Sequence, residues 1–266
     1  MIRVAVIGAG LLGRTLADEL TRRGVPFTAF GHRSIEVTDP ASCGVLREYA
    51  VAINTAAYHR LAECEAHPDI ADAVNHRGAV NVGRVTRQVF ISTDYVVDDG
   101  PMEEVLPGTQ PRSVYGRTKL QGELTTLAHG GVVVRVAALF GHYRSHKGLT
   151  FPEVILSGRD PIKLPVDQRF APTYAVDAAA RIVDLALDSE KVGIYHSANA
   201  GSCSWYEFAE NIIEVTGIAR RIERRTAHDP LRPRNSVLRS TLLPPLRHWR
   251  LALEAWAARK PLMEAA

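Results

Sequence analysis

A chain of 266 residues is long enough to bury a substantial core, as one large domain or two small ones, and 46% hydrophobic with 23% charged residues is the makeup of an ordinary globular protein. The formal charge of +3 is mild, and its basic clusters, "ARRIERR" at 219–225 and "PLRPRNSVLR" at 230–239, lack the interleaved aromatics of a nucleic-acid stripe, so nucleic acid is excluded as the expected partner. Cys43, Cys64 and Cys203 are odd in number, far apart and in no CxxC spacing, which argues against disulfides and a zinc site and suits a reducing, cytoplasmic setting. The opening apolar run is too short for a signal peptide, and no later stretch reaches the roughly 18 apolar residues of a membrane span.

The first strand is expected over "IRVAVI" (2–7), β-branched and ending at glycine. Gly8, Gly10 and Gly13 follow as GxGxxG, and "LLGRTLADELTRRG" then shows helical spacing up to Gly24, with Pro26 beyond it. Glycines between a strand and a helix allow a tight turn and close backbone approach, and the helix start favours a pyrophosphate; Leu12 sits in the same turn. The pattern alone is weak, since such turns also serve packing, but its place at the end of a first strand points to a dinucleotide.

The second strand, "VPFTAF" (25–30), runs into "GHRS". An NAD site usually places an acid here for the ribose 2′-hydroxyl. His32 and Arg33 stand there instead, and an arginine can meet a 2′-phosphate with charge-assisted hydrogen bonds. With no acid seen to repel that phosphate, NADPH is expected over NADH; the bland alternative is a solvated arginine.

Further strands are expected at "VAINTAA" (51–57), "QVFIST" (88–93) and "GVVVRVAALFG" (131–141), with helical patterns at 60–86 and 116–128 between them. Such alternation implies a parallel sheet covered on both faces. After residue 141 the rhythm changes, leaving amphipathic helices at 177–188 and 204–217, the second with a capping box of Ser204 and Glu207, and a closing helix "RHWRLALEAWAA" whose tryptophans should pack inward. The expected division is a nucleotide-binding portion at 1–141 and a smaller substrate-binding portion at 142–266, with the chain free to cross back between them.

"SVYGRTKLQGE" places Tyr115 and Lys119 on one helix face, where an ammonium beside a phenol should lower its pKa from about 10 towards working pH and suit it to proton transfer. Ser92 and Thr93 close the fourth strand, where open α/β sheets present ligand-facing residues. YxxxK is common by chance. Combined with the hydroxyl pair, the earlier "NTAA" and the glycine turn, it resembles the extended short-chain dehydrogenase/reductase family.

"INTAAYHRLAECEAHPDIADAVN", "ISTDYVVDDG", "SVYGRTKLQGE", "DQRFAPTYAVDAA", "GIYHSANAGSCSWYEFA" and "RPRNSVL" resemble, in that order, the dTDP-4-dehydrorhamnose reductase branch across nearly the whole chain. The resemblance implies a Rossmann-type doubly wound sheet and NADPH-dependent reduction of a keto group on a nucleotide-linked 6-deoxy sugar. It further implies Thr93, Tyr115 and Lys119 as catalytic residues, Ala56, Ala57 and Tyr58 along the cofactor, Tyr95 and Ala138 facing the sugar, Arg232 on the nucleotide diphosphate, and a homodimer. Asn75 matches a family asparagine for which a structural role serves equally well.

The sequence also departs from that pattern. The family usually has GxxGxxG, one residue looser; Val97 replaces a phenylalanine; Ala138 stands where rhamnose-type reductases commonly have a tryptophan; and "NVGRVTRQVF" is shortened. Asp94 is followed by Tyr95 and not by a second acid, which argues against elimination chemistry. An epimerase needs an extra acid/base pair, for which Cys64, His59 and His142 are the candidates, and a non-catalytic NADP-binding regulatory subunit is the alternative from another class. His142 and His146 would suit a metal on a helix, but their glycine-flanked polar setting reads as a loop, and no metal is expected.

Overall fold

The computed structural model describes residues 2–97, 99–106, 108, 110–144, 148–158, 161–226 and 229–259. The first half of the chain runs β1 (Val4–Ile7), α1 (Leu11–Arg22), β2 (Phe27–Phe30), β3 (Val51–Asn54), α2 (Leu61–Ala66), α3 (Pro68–Asp72), α4 (Gly78–Gly83), β4 (Arg87–Thr93), α5 (Val114–Ala128) and β5 (Val132–Val136). The second runs β6 (Leu139–Phe140), α6 (Phe151–Ser157), β7 (Ile162–Pro165), β8 (Arg169–Phe170), β9 (Thr173–Tyr174), α7 (Ala175–Leu187), β10 (Gly193–His196), β11 (Asn199–Ala200), β12 (Cys203–Ser204), α8 (Trp205–Thr216), β13 (Ile222–Arg225), β14 (Leu246–His248) and α9 (Trp249–Ala258).

The strands β10-β5-β4-β3-β1-β2 form one six-stranded sheet in that order, every pair parallel. β1 shows why its apolar run is unbroken. Successive side chains face opposite ways, so Val4 and Val6 enter a core with Leu16 and Leu20 of α1 and Ile182 of α7, while Ala5 and Ile7 enter a second core with Leu46 and Val82. The chain turns to opposite sides of β1 to make β2 and β3, and that reversal opens a crevice above the strand ends.

The expected helical stretch 60–86 is broken into α2, α3 and α4, with a π turn at Ala73–Arg77. The turn holds Asn75, fully buried, against the sheet side of α5. Its Nδ2 donates to the Tyr58 carbonyl at 2.8 Å and to Thr118 Oγ1 at 3.0 Å, and its Oδ1 accepts from the Tyr58 N–H at 2.9 Å. Asn75 therefore ties the loop after β3 to α5.

After β5 the chain leaves the sheet and then returns. α7 packs on α1 and β10 pairs with β5, so residues 175–196 lie in the sheet layers although they follow position 141. A separate aromatic core of Phe140, Phe170, Tyr174, Phe208, Trp249 and Trp256 holds α6, α8 and α9 together, and both tryptophans of α9 point into it. The Ser204–Glu207 capping box is formed, Glu207 N–H donating to Ser204 Oγ at 3.2 Å and Ser204 N–H to Glu207 Oε2 at 2.7 Å. No helix among the described residues is long and apolar enough to cross a membrane.

Candidate active site

The crevice is a cavity of about 860 Å³, at the upper end of the size usual for small-molecule sites. At one end lies the glycine turn. Gly8 has φ +104°, and a Cβ on Gly13 would run into the Gly8 carbonyl, so only glycine lets β1 turn this tightly into α1. Gly10 is the N-cap of α1 and offers no side-chain cap, which leaves the first amides of the helix turned toward the cavity end.

Of the residues singled out in the sequence, Gly8, Gly10, Leu12, Gly13, His32, Ala56, Ala57, Tyr58, Ser92, Thr93, Tyr95, Tyr115, Lys119, Ala138 and Arg232 all line this one cavity. Arg33 does not; it is exposed beyond the wall. The expectation that no acid stands near the end of β2 is corrected too. Glu36 lines the cavity, its Oε2 lies 3.5 Å from His32 Nδ1, and hydrogen bonds from the Thr38 backbone and hydroxyl hold its carboxyl below the usual range.

Tyr115 stands in the first turn of α5. Ser113 caps that helix, accepting from the Gly116 N–H at 3.1 Å, and Glu65 accepts from the Val114 N–H at 2.6 Å. The phenol lies in the cavity wall with Thr93 and packs edge-on to Tyr95, with ring centroids 6.0 Å apart. Its pKa is raised by burial, which the nearby Thr93 hydroxyl offsets only in part, so the phenol is held in its proton-donating form. The expected lowering by Lys119 is not what the fold provides. Lys119 is buried, donates to the Ile91 carbonyl at 2.6 Å and lies 3.8 Å from the centre of the Phe90 ring, and burial takes its pKa down to about 7 against the pull of Glu123.

Glycine between the two is a matter of space. A Cβ on Gly116 would collide with the Tyr95 carbonyl and lie 2.7 Å from Pro111 Cβ. Gly116→Ala should therefore lift the first turn of α5, cost about 1–3 kcal/mol in denaturant unfolding, and lower turnover by displacing Tyr115, whereas Gly108→Ala, with open space around it, should change neither.

Arg232 Nη1 donates to Tyr95 Oη at 2.7 Å and its Nε to Asp229 Oδ2 at 2.9 Å, so two residues 137 apart in sequence meet in one wall of the cavity. Ala138 has φ +38°, a left-handed backbone that non-glycine residues rarely adopt. Val97 is buried with Met102, Leu120 and Leu238 rather than facing the cavity. Of the candidate epimerase residues, His59 lines the cavity, its Nδ1 3.2 Å from the Ala57 carbonyl, while Cys64 is buried behind it and His142 pairs with Tyr174 Oη at 3.0 Å. His146 lies outside the described residues, and among those described there is no group of three or more potential metal ligands.

The residue model of the RmlD substrate-binding domain matches residues 2–260, almost the full chain. The chain belongs to that family. It is 35% identical to dTDP-4-dehydrorhamnose reductase of Streptomyces griseus, covering 94% of this chain and 91% of the relative, and 32% identical to dTDP-4-keto-6-deoxy-D-glucose reductase of Streptomyces niveus, covering 92% of each. The crystal structure of dTDP-4-dehydrorhamnose reductase from Bacillus anthracis in complex with NADP superposes with a TM-score of 0.88 at 28% identity, covering 96% of this chain and 98% of that one.

Sequence reading missed three features in and beneath this cavity. Phe151, Phe170 and Trp205 form an aromatic wall at the far end of the cavity, with the rings of Phe170 and Trp205 4.0 Å apart. Asp94 lines the cavity with Ser236 hydrogen-bonded to it. A buried Glu123–Arg135 ion pair underlies Ser92.

Proposed function

We propose that this chain reduces a keto group on a nucleotide-linked 6-deoxy sugar with NADPH. The observation that carries this reading is the meeting of Thr93, Tyr115 and Lys119 in the wall of the cavity that begins at the glycine turn. The names of the relatives and the NADP of the Bacillus anthracis structure support it.

The chain's own residues fit a dinucleotide. Gly8, Gly10, Leu12 and Gly13 form the tight turn after β1, where a Cβ on Gly8 would strike Thr55 Oγ1 and one on Gly13 the Gly8 carbonyl, and α1 presents its N-terminal amides to a pyrophosphate. His32 would meet the adenosine ribose from the wall, with the exposed Arg33 beside it outside the lining, Ala56, Ala57, Tyr58 and Ser92 would line the cofactor, and Lys119 would hold the nicotinamide ribose. When bound, the reduced nicotinamide supplies hydride to the carbonyl carbon. Tyr115, kept protonated by burial, gives its proton to the carbonyl oxygen. Tyr95, Ala138 and Arg232 face the substrate, the guanidinium set to meet a diphosphate and the small Ala138 leaving its stretch of wall open.

Glu36 is the reason NADH stays the second choice and not an excluded one. Loss of reduced-cofactor absorbance, followed with a panel of 4-keto-6-deoxy sugar nucleotides, should show turnover with at least one. NADPH should exceed NADH in kcat/KM by about tenfold, the worth of one charge-assisted contact. Cofactor binding without turnover across the panel would instead favour a regulatory subunit.

A further inference from the structure

The far end of the cavity carries a hydrogen-bonding group that the reduction itself does not employ. Gln168 is only 6% exposed and lines the cavity, and among the described residues its amide has no hydrogen-bond partner. Burying an amide without a partner is unfavourable, so such a group in a cavity wall is explained by a ligand that satisfies it. Gln168 immediately precedes β8, and side chains two apart on an extended strand share a face. The amide therefore stands on the face of Phe170, while Arg169 between them reaches Ser202 and Glu207. Phe170 backs the Trp205 ring, with centroids 4.0 Å apart and planes tilted by 34°, and Phe151 meets the same ring at 4.7 Å. The Arg169 N–H donates to the Arg234 carbonyl at 2.7 Å, and the Ser236 N–H to the Arg169 carbonyl at 2.9 Å. The segment that carries Arg232 is thereby tied to the residue next to Gln168. An amide, an aromatic wall and a guanidinium meet at one end of the cavity.

We propose that this end is the subsite for the base of the nucleotide-linked sugar, with the ring stacked on Trp205 and Phe151 and its edge read by the Gln168 amide. The inference rests on the reductase reading above. Connectivity of the substrate orders the parts: the reacting carbonyl lies at Tyr115, the diphosphate at Arg232, and the base beyond it.

The chemistry of the two edges matches. A base is a flat ring with π faces, which stacks on aromatic side chains whatever its sequence of edge groups. A primary amide presents an acceptor oxygen beside a donor nitrogen. The imide edge of thymine or uracil presents one N–H between two carbonyls. The amide oxygen accepts from the ring N3–H, and the amide nitrogen donates to a flanking carbonyl. Both groups are neutral, so pairing them out of water leaves no charge to compensate.

The test compares thymidine diphosphate with its N3-methyl derivative, each titrated into the full chain with oxidised cofactor present and followed by tryptophan fluorescence. Trp249 and Trp256 are buried in the aromatic core, so quenching by a stacked base reports on Trp205 and should be lost in Trp205→Leu. The methyl group replaces the one proton that the amide oxygen accepts. Wild type should therefore bind the parent nucleotide about tenfold more tightly than the methyl form, while Gln168→Leu should bind the two within about twofold of each other. In turnover, Gln168→Leu should raise KM by about tenfold, well beyond any change in kcat. A methyl form bound as tightly as the parent by wild type overturns the subsite without recourse to any variant. A preference that survives in Gln168→Leu, or quenching that survives in Trp205→Leu, overturns it as well. Each of these results leaves the reductase reading standing when keto sugars still turn over. Absence of turnover in wild type, with the nucleotide preference intact, sinks the reductase reading alone.

Discussion

Tyr115→Phe should abolish most reduction while leaving the protein folded and able to bind. The change removes one oxygen from a half-buried ring and keeps the edge-on contact with Tyr95. Loss of a positioned proton donor typically costs 10²–10⁴-fold, so kcat should fall by about a hundredfold or more. Cofactor affinity and KM should change by no more than a few-fold, because the phenol stands at the start of α5 and not in the glycine turn after β1. Stability should move by only about 1 kcal/mol, the net worth of one buried hydrogen bond. Single-turnover oxidation of bound NADPH, read beside a fluorescence titration of cofactor binding, separates the two effects. A rate within threefold of wild type would remove Tyr115 from the chemistry.

Burial raises the phenol's pKa, which keeps its proton in place until the carbonyl oxygen takes it. Spacing in the sequence suggested a tyrosine eased toward ionisation by its lysine. Position in the fold gives a tyrosine held neutral and a lysine that burial itself has partly discharged, tied to the carbonyl of Ile91. A phenol in that state is a donor, which suits reduction of a carbonyl better than abstraction of a proton from an alcohol.

Much of the site was legible because its signals are local. The glycine turn, the hydroxyl pair at the tip of β4 and the Tyr115–Lys119 spacing each lie within a few residues, and strand periodicity then fixes where each must stand. The parallel sheet was legible for the same reason, from apolar runs alternating with amphipathic helices. What escaped was settled by long-range contact. Ser236 reaches Asp94 across 142 residues, and Arg232 reaches Tyr95 across 137. β10 comes back to β5 after the chain has built part of a second core, and no pattern near residue 193 announces that return. The π turn at Ala73–Arg77 exists because Asn75 finds partners in Tyr58 and Thr118, neither of which is its sequence neighbour. The place of Arg33 after β2 is clear in the sequence, while the direction of its side chain, outside the cavity lining, is not.

Arg135→Met should be among the most destabilising single changes in the chain. Arg135 and Glu123 are both fully buried and paired in bidentate fashion, Nε to Oε1 at 2.9 Å and Nη2 to Oε2 at 2.6 Å, while Nη1 donates to the Val105 carbonyl at 2.8 Å. Removing one partner strands the other as an uncompensated buried charge, which costs about 3–5 kcal/mol. For a chain of this size that corresponds to a fall in Tm on the order of 10 °C. The double variant Arg135→Met with Glu123→Leu removes both charges and should recover much of the loss, so urea unfolding of the two singles and the double should give a large coupling energy. Near-additive losses would mean that the pair acts only through packing. Sheet register explains why a sheet interior would carry such a pair. Ser92, Arg135 and His196 sit side by side on β4, β5 and β10, and Ser92 Oγ donates to Glu123 Oε1 at 2.5 Å. Burial, with Arg135 beside it, pushes His196 down to about 4 against the pull of Glu104, so the row contains one cation and not two. Glu123 lies one helical turn beyond Lys119 and grips the residue next to Thr93. The recovered double variant should therefore fold well yet reduce more slowly than wild type, because an apolar row can fill the space but cannot fix the strand tip on which Thr93 stands.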